Sequence, residues 1–206
     1  MNISILGAGN VGEALGVGWV KAGHAVTFAV RNPADAKYDG IRKAGAAVAT
    51  VADAVGAADI VVLATPWDAT QSIIEGCGGL AGKTVFDCTN PLGAGLKLTV
   101  GHTDSGGEMV ARWAPQARVV KIFNTTGFGN MANPKYGDHA SVMFYAGDDA
   151  AAKKVAHQLA ADLGFDPLDA GPLSNARLLE PLACLSIDQA VMRGLGRDFA
   201  FVIHRR

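Results

Sequence analysis

Three glycines near the start of the chain have a spacing that suits phosphate binding. Gly7, Gly9 and Gly12 form a G-x-G-x-x-G motif between an apolar, β-branched run at residues 3–6 and a helix-like stretch at residues 13–21. In this context the first glycine permits a tight turn, the second lets the backbone approach a pyrophosphate, and the third lets helix and strand pack closely. The helix then aims its free N–H groups at the phosphates. The motif predicts a dinucleotide site at Gly7, Ala8, Gly9, Asn10, Val11 and Gly12, with a chance glycine-rich turn as the alternative.

The residues after the second predicted strand indicate which dinucleotide is bound. Arg31 and Asn32 follow that strand, which covers residues 24–30. Enzymes that use NAD place an Asp or Glu about 20 residues after the glycines to bind the ribose 2′-hydroxyl. Here no carboxylate stands at that position, and a guanidinium is available to hold a 2′-phosphate, whereas Asp35 and Asp39 should lie beyond the ribose. The sequence therefore favours NADP(H) over NAD(H), with a solvated loop arginine as the alternative.

Small polar residues follow three further predicted strands. They are Ala64, Thr65 and Pro66 after the fourth strand, Asn90 after the fifth, and Asn124 and Thr125 after the sixth. Ligands of open α/β sheets bind outside the carboxyl ends of the strands, so we expect Thr65, Pro66 and Asn90 to flank the ribose and nicotinamide. Asn124 and Thr125 should lie near the reacting ring. Ordinary turn chemistry is the alternative for each residue taken alone.

The elements that must position these residues alternate between strand and helix. Predicted strands cover residues 3–6, 24–30, 46–49, 59–64, 83–88, 118–123, 141–146 and 165–169. Predicted helices cover residues 13–21, 51–58, 67–75, 105–113, 149–163 and 174–193, and a capping box from Ser105 to Glu108 opens the fourth. This alternation predicts an α/β fold, a doubly wound and mostly parallel Rossmann sheet with a small helical C-terminal part. We expect one dinucleotide-binding domain over residues 1–206, with its core at about 1–170.

Composition argues against several classes of function. Of the 206 residues, 50% are hydrophobic and 18% are charged, and the net charge is −1. This balance gives no electrostatic case for binding nucleic acid or an anionic membrane. No apolar run approaches the roughly 18 residues that a membrane helix needs, and the first residues suit a strand better than a signal peptide. Cys77, Cys88 and Cys184 lack ligand-spaced histidines, so we expect structural thiols, no metal site and a cytoplasmic location.

Three segments together resemble a known family of redox enzymes. Residues 7–12, the strand end at residues 64–66 and the segment D-A-G-P-L-S-N-A-R-L-L-E at residues 169–180 are similar to the NADPH-dependent deazaflavin (coenzyme F420) oxidoreductases. The chain also resembles the NADPH-binding domain of the Steap metalloreductases, and the resemblance covers essentially the whole chain. It implies a Rossmann core and a cleft between that core and residues 171–206. The resemblance further implies that a second redox partner, a deazaflavin or flavin, stacks on the nicotinamide in this cleft.

No catalytic side chain is assigned from the sequence. Arg177 and Glu180, three residues apart, are either a surface ion pair or groups that face the cleft. His102 is either a proton donor to the acceptor or a simple loop histidine. Pro181 should kink the predicted helix 174–193. The lack of an acid–base motif fits direct hydride transfer, in which positioning does most of the chemistry.

The sequence thus favours an NADP(H)-dependent oxidoreductase that passes a hydride between nicotinamide and a stacked deazaflavin, flavin or similar small acceptor. A non-catalytic module that senses or delivers NADP(H) is the alternative. Dehydrogenation of a sugar acid or imino acid is disfavoured, because enzymes of that kind append a large helical substrate domain, whereas here only about 70 residues follow the loop after the sixth strand. The last predicted helix has apolar residues on most sides, which predicts a homodimer through this helix and the 199–201 tail. Burial of the helix within one chain is the alternative.

Overall fold

The structure, a computed structural model, describes residues 1–204 and 206. Strands β1 to β5 are Asn2–Leu6, Ala25–Ala29, Ala47–Ala49, Ile60–Leu63 and Thr84–Asp87. Strands β6 to β10 are Arg118–Ile122, Lys135–Tyr136, His139–Ala140, Val142–Gly147 and Asp166–Asp169. Helices α1 to α4 are Asn10–Lys21, Asp39–Lys43, Val51–Ala57 and Trp67–Gly76. Helices α5 to α8 are Gly106–Trp113, Phe128–Ala132, Ala150–Asp162 and Ala176–Ile187.

Eight of the strands form one sheet, in the order β10-β9-β6-β5-β4-β1-β2-β3, while β7 and β8 form a separate hairpin. The pairings within the large sheet are parallel except between β6 and β9. The chain moves outward from β1 through β2 to β3 and then returns to place β4 on the other side of β1. This reversal creates a crevice at the carboxyl ends of β1 and β4, where ligands of such sheets bind. The predicted doubly wound, mostly parallel α/β fold is confirmed.

Both faces of the sheet are covered by helices. Strand β4 alternates between two buried hydrophobic clusters, one on each face of the sheet. Ile60 and Val62 belong to the first cluster, and Val61 and Leu63 belong to the second. The first cluster includes side chains of α1 and α7, and the second includes side chains of α3, α4 and α5. A continuous apolar run is what a parallel strand buried on two faces requires. Among the described residues, no helix is both long and apolar enough to cross a membrane.

The segment after β10 differs most from the prediction. The single helix predicted over residues 174–193 is instead a 3₁₀ turn at Leu173–Asn175, helix α8, and a π-helical turn at Asp188–Met192. Helix α8 continues through Pro181, so this proline does not end it. The sequence analysis did not predict three short elements, because each has too few residues to show a regular apolar pattern. They are α2, α6 and the β7–β8 hairpin. Helix α1 also begins at Asn10 rather than residue 13, because the last residues of the glycine motif form its first turn.

Candidate functional site

The carboxyl ends of five strands lie level with one another. Leu6 at the end of β1 pairs with Ala29 of β2 and Leu63 of β4. Leu63 pairs in turn with Asp87 of β5, and Asp87 pairs with Lys121 of β6. The segments that follow these strands therefore emerge along a single edge of the sheet. This edge brings the glycine turn and the predicted strand-end residues into one neighbourhood.

The glycine turn has the geometry that a pyrophosphate requires. Gly7 has φ +118°, and a Cβ there would lie 2.3 Å from the carbonyl oxygen of Ala64. A Cβ on Gly12 would lie 2.0 Å from the carbonyl oxygen of Gly7, whereas a Cβ on Gly9 would meet nothing within 4 Å. The first N–H bonded within α1 is that of Glu13, which donates to Gly9, and no side chain in the described part of the chain caps this end of the helix. The earlier N–H groups are thus available to an anion in the open space beside Gly9.

The loop after β2 leaves its arginine without an acidic partner. Arg31 is exposed and has no carboxylate within ion-pair distance among the described residues. The two acidic residues of the loop each pair with a cation of the same segment, Asp35 with Lys37 at 3.0 Å and Asp39 with Arg42 at 2.6 Å. Neither carboxylate is therefore free to take the place of the acidic residue that binds a ribose 2′-hydroxyl.

A hollow of about 310 Å³ lies between this loop and the glycine turn. It is lined by Ala8, Glu13, Lys37, Tyr38, Gly40 and Ile41. Arg31 and Asn32 do not line it, although they follow β2 at the same edge of the sheet.

A larger cleft, which we call the apolar cleft, lies between the strand edge and α8 and has a volume of about 390 Å³. Its lining residues are Val11, Asn90, Leu96, Asn124, Thr125, Thr126, Gly127, Phe128, Ala183, Ser186, Ile187, Ala190, Val191, Arg197 and Phe199. Four of them, Val11, Asn90, Asn124 and Thr125, are predicted site residues. Ala64, Thr65 and Pro66 lie at the same edge but outside this lining, and the Thr65 hydroxyl shares a 2.9 Å hydrogen bond with Thr70.

Two asparagines join the strand edge to α8. The Asn90 amide donates to the carbonyl of Asn124 at 3.0 Å. The Asn124 amide donates back to Asn90 Oδ1 at 3.1 Å and to the carbonyl of Leu179 in α8 at 3.2 Å. Asn124 is buried, yet its Oδ1 has no hydrogen-bond partner among the described residues. A buried acceptor left unpaired is costly, and this oxygen is the one polar side-chain atom of the two asparagines that the described part of the protein does not satisfy.

The structure also contains a buried ion cluster, formed by Asp87, Lys121 and Glu180, that the sequence analysis missed. Lys121 Nζ lies 2.9 Å from Asp87 and 2.8 Å from Glu180, and it donates to the carbonyl of Thr89 at 2.6 Å. All three charged side chains are essentially inaccessible to solvent. Burial alone would lower the pKa of Lys121, but the charges of Asp87 and Glu180 outweigh it and raise that pKa above its usual value. Lys121 is therefore an ammonium ion within the core.

The remaining atoms of the cluster are also hydrogen-bonded. The N–H groups of Gly106 and Gly107, at the start of α5, donate to Glu180 at 2.9 and 3.0 Å. Asp87 accepts the N–H and the hydroxyl of Thr89. The cluster thus connects β5, β6 and α5 to α8, which forms one wall of the apolar cleft. Its signal in the sequence was a charged residue, Asp87 or Lys121, directly after two apolar residues in each of two buried strands.

These contacts correct the interpretations of Arg177 and Glu180. The two side chains do not pair with each other, because Arg177 forms a two-pronged bridge to Glu108 of α5, at 2.6 and 2.8 Å, and Glu180 points into the ion cluster. Neither side chain lines the apolar cleft. His102 lies with Arg177 in a separate hollow, which places it away from the proposed reacting ring. Ser105 caps α5 as predicted, accepting the N–H of Glu108.

Comparison with known proteins assigns the chain to a family. Residues 2–91 match the model of a family described as NADP oxidoreductase, coenzyme F420-dependent. A crystal structure of a protein from Arthrobacter sp. FB24, provisionally described as an F420-dependent NADP-reductase, is 34% identical and superposes with a TM-score of 0.89 over 100% of both chains. The chain belongs to the coenzyme F420-dependent NADP oxidoreductase family. The description of this family is that of NADP-dependent oxidoreductases.

This member of the F420-dependent NADP oxidoreductase family is also similar to part of a larger mammalian protein. Metalloreductase STEAP3 of Rattus norvegicus is 30% identical over 181 residues, which are 87% of this chain and 36% of that protein. The chain thus spans 36% of the length of the curated relatives it matches. An imine reductase from Aspergillus terreus, in complex with NADPH4 and dibenz[c,e]azepine, superposes with a TM-score of 0.70 at 24% identity, covering 94% of this chain and 63% of that one. At this identity the match shows the fold alone.

Proposed function

We propose that the protein transfers a hydride between NADP(H) and a planar deazaflavin, flavin or similar acceptor bound in the apolar cleft. The observation that carries this proposal is the position of the cleft. Strand-end residues of the dinucleotide half form one wall, and α8 and the tail form the other, with room for a flat ring system between them. Apolar walls with a few convergent polar groups are typical of sites for such ligands. When bound, NADPH supplies the hydride from its nicotinamide C4.

The dinucleotide half would use mainly backbone groups. The N–H groups of Asn10 and Val11, at the start of α1, would hold the pyrophosphate beside Gly9. Arg31 and Asn32 would hold the 2′-phosphate, which the unpaired guanidinium supports. Ala64, Thr65 and Pro66 would flank the ribose and nicotinamide, because they follow β4 directly beside the glycine turn.

The reacting half would position rings rather than move protons. Among the described residues, the lining of the apolar cleft contains no carboxylate, histidine, cysteine or tyrosine. Asn124 and Thr125 would face the reacting ring, and the apolar side chains opposite them would exclude water. Transfer of a hydride between two stacked rings depends chiefly on this alignment.

We also propose a homodimer formed through α8 and the residues after it. Leu178, Leu185, Met192 and Leu195 have between 51% and 66% of their surface exposed, and all lie within residues 171–206. Exposed apolar side chains clustered in this way mark interaction surfaces, and a two-fold dimer buries the same patch on both copies. Sedimentation velocity at micromolar concentration should show twice the 21.2 kDa chain mass, and a monomer would overturn this part of the proposal.

Two coarser expectations accompany the proposal. Residues 1–206 would form a single dinucleotide-binding domain, with residues 171–206 at the acceptor cleft and the dimer seam. The free thiols of Cys77, Cys88 and Cys184 support a reducing, cytoplasmic location.

The deciding experiment is oxidation of NADPH, with and without oxygen, against a panel of a deazaflavin, FMN, FAD and ferric chelates. Turnover with one of the planar acceptors is expected, and Gly9→Val should abolish it for every acceptor. Binding of NADPH without turnover of any acceptor would favour the sensor or delivery module. Turnover of ferric chelates alone would overturn the planar-acceptor assignment.

A further inference from the structure

The apolar cleft has a distinctive charge distribution. Eight of its lining side chains are apolar, and those of Asn90, Asn124, Thr125, Thr126 and Ser186 are polar but neutral. Among the described residues, Arg197 is the sole ionisable side chain in the lining. A ligand that fills this cleft therefore meets apolar walls, a few neutral polar groups and one positive charge.

The guanidinium of Arg197 is not committed to an acidic partner. Arg177 and Arg193 form ion pairs with Glu108 and Asp188, whereas Arg197 has no carboxylate within ion-pair distance among the described residues. It lies instead over the ring of Phe128, with its central carbon 5.5 Å from the ring centroid. This cation–π contact orients the guanidinium while leaving its N–H groups free to donate.

The tail that carries Arg197 is held against the core on the C-terminal side of this residue. The Asn130 side chain donates to the carbonyl of Phe199 at 2.8 Å, and the N–H of Val142 donates to the carbonyl of Phe201 at 2.9 Å. Phe199 itself lines the apolar cleft. These anchors keep Arg197 at the cleft and limit how far it can move away.

We propose that Arg197 selects acceptors that carry an anionic group, a phosphate or a carboxylate, on a chain attached to the planar ring. This inference rests on the proposed function and names the class of acceptor more narrowly. The ring would lie among the apolar side chains, and the anion would receive two parallel N–H bonds from the guanidinium fork. A neutral ring without such a group would leave the arginine unused.

FMN and riboflavin test this directly, because they share one isoalloxazine ring and differ in the terminal phosphate. In steady-state assays with saturating NADPH, the KM for FMN should be about 10-fold below that for riboflavin. Arg197→Ala should raise the KM for FMN by about the same factor while leaving riboflavin and both kcat values nearly unchanged. Arg197→Lys should restore part of the preference. Arg193→Ala is the matched control, since Arg193 is exposed nearby but does not line the cleft, and it should change neither KM.

Two outcomes would overturn the inference while the proposed function survives. One is equal KM values for FMN and riboflavin in the unmutated protein. The other is weaker NADPH binding in Arg197→Ala, measured by calorimetry without acceptor, which would assign the guanidinium to the dinucleotide phosphates. If no planar acceptor is turned over, the proposed function fails instead. Equilibrium titration of flavin fluorescence then decides the role of Arg197, because tighter binding of FMN that depends on this residue supports it and equal binding overturns it.

Discussion

The two ends of the proposed site are built in different ways. The phosphate end consists of six consecutive residues, Gly7 to Gly12, whose backbone supplies both the turn and the donors. The acceptor end is assembled from β5, β6, α6, α8 and the tail, and its asparagines are joined across a separation of 34 residues. The first end depends on local conformation, whereas the second depends on how distant elements are packed. A short motif can therefore predict that a dinucleotide binds, whereas no short motif in this chain predicts the acceptor.

The buried ion cluster lies within the acceptor end and connects the sheet to α8. Lys121 and Asp87 lie in the sheet that carries the glycine turn, and Glu180 lies in α8. One cation lies between two carboxylates, so removal of Lys121 would leave both Asp87 and Glu180 buried without a positive partner. Loss of the Lys121 charge should therefore lower stability, whereas Gly9→Val should lower dinucleotide binding with little change in stability.

The largest effect is expected for Lys121→Met. This change leaves Asp87 and Glu180 buried without their cation, and the free energy of unfolding should fall by about 3–5 kcal/mol. Urea unfolding of this variant and of the unmutated protein measures the loss of stability. Lys153→Met removes the more exposed Lys153–Asp169 pair and is the matched control, with an expected loss below about 1 kcal/mol. If both variants lose less than about 1 kcal/mol, the cluster does not hold α8 to the sheet.

The next prediction concerns the second and third glycines of the motif, which should differ in their effects on binding and stability. Gly9→Val should weaken NADPH binding at least about 100-fold with an almost unchanged melting temperature, because its side chain enters open space where the pyrophosphate would lie. Gly12→Val should lower the melting temperature as well, since its Cβ would collide with the carbonyl of Gly7. Calorimetric binding and a melting curve on each variant test both statements. Retained binding in Gly9→Val would contradict the phosphate assignment.

The same contrast explains what the sequence could predict. Alternating apolar strands and the glycine motif specify local structure, so the sheet, its parallel character and the dinucleotide turn were all predicted. Lys121, by contrast, was read as one residue of a strand, because its partners at positions 87 and 180 come together only when the sheet and α8 pack. Arg197 was missed for the same reason, since nothing near it in the sequence marks a cleft. Glu180 was misread because its spacing from Arg177 suggested a local pair, while stronger partners were available in the core.

A smaller effect on binding is expected at the 2′-phosphate. NADPH should bind about 10- to 100-fold more tightly than NADH if Arg31 makes charge-assisted hydrogen bonds to the extra phosphate. Arg31→Ala should remove most of that difference and leave the affinity for NADH nearly unchanged. Calorimetric titration of both cofactors measures the four affinities. Equal affinities for NADPH and NADH in the unmutated protein would show that Arg31 does not recognise the 2′-phosphate.

The smallest effect concerns the bridge between Arg177 of α8 and Glu108 of α5. Hydrogen bonds from Arg177 lower the pKa of Glu108 from its usual value of 4.5, against the opposing effect of burial and with help from Ser105. Because the folded-state pKa is depressed, the stabilisation is fully present above pH 4.5 and is lost as the pH falls through the folded value. The bridge is partly exposed, so the contribution should stay below about 1 kcal/mol.

Urea unfolding of the unmutated protein and Glu108→Gln across this pH range tests the bridge. The difference in unfolding free energy between them should be constant above pH 4.5 and shrink below it. On an Arg177→Ala background the same substitution should lose most of this pH dependence, because the guanidinium that lowers the pKa is gone. A pH dependence that persists without Arg177 would mean that Ser105 and the start of α5 hold Glu108 by themselves. The Arg177–Glu108 bridge would then contribute nothing to the attachment of α8 to α5.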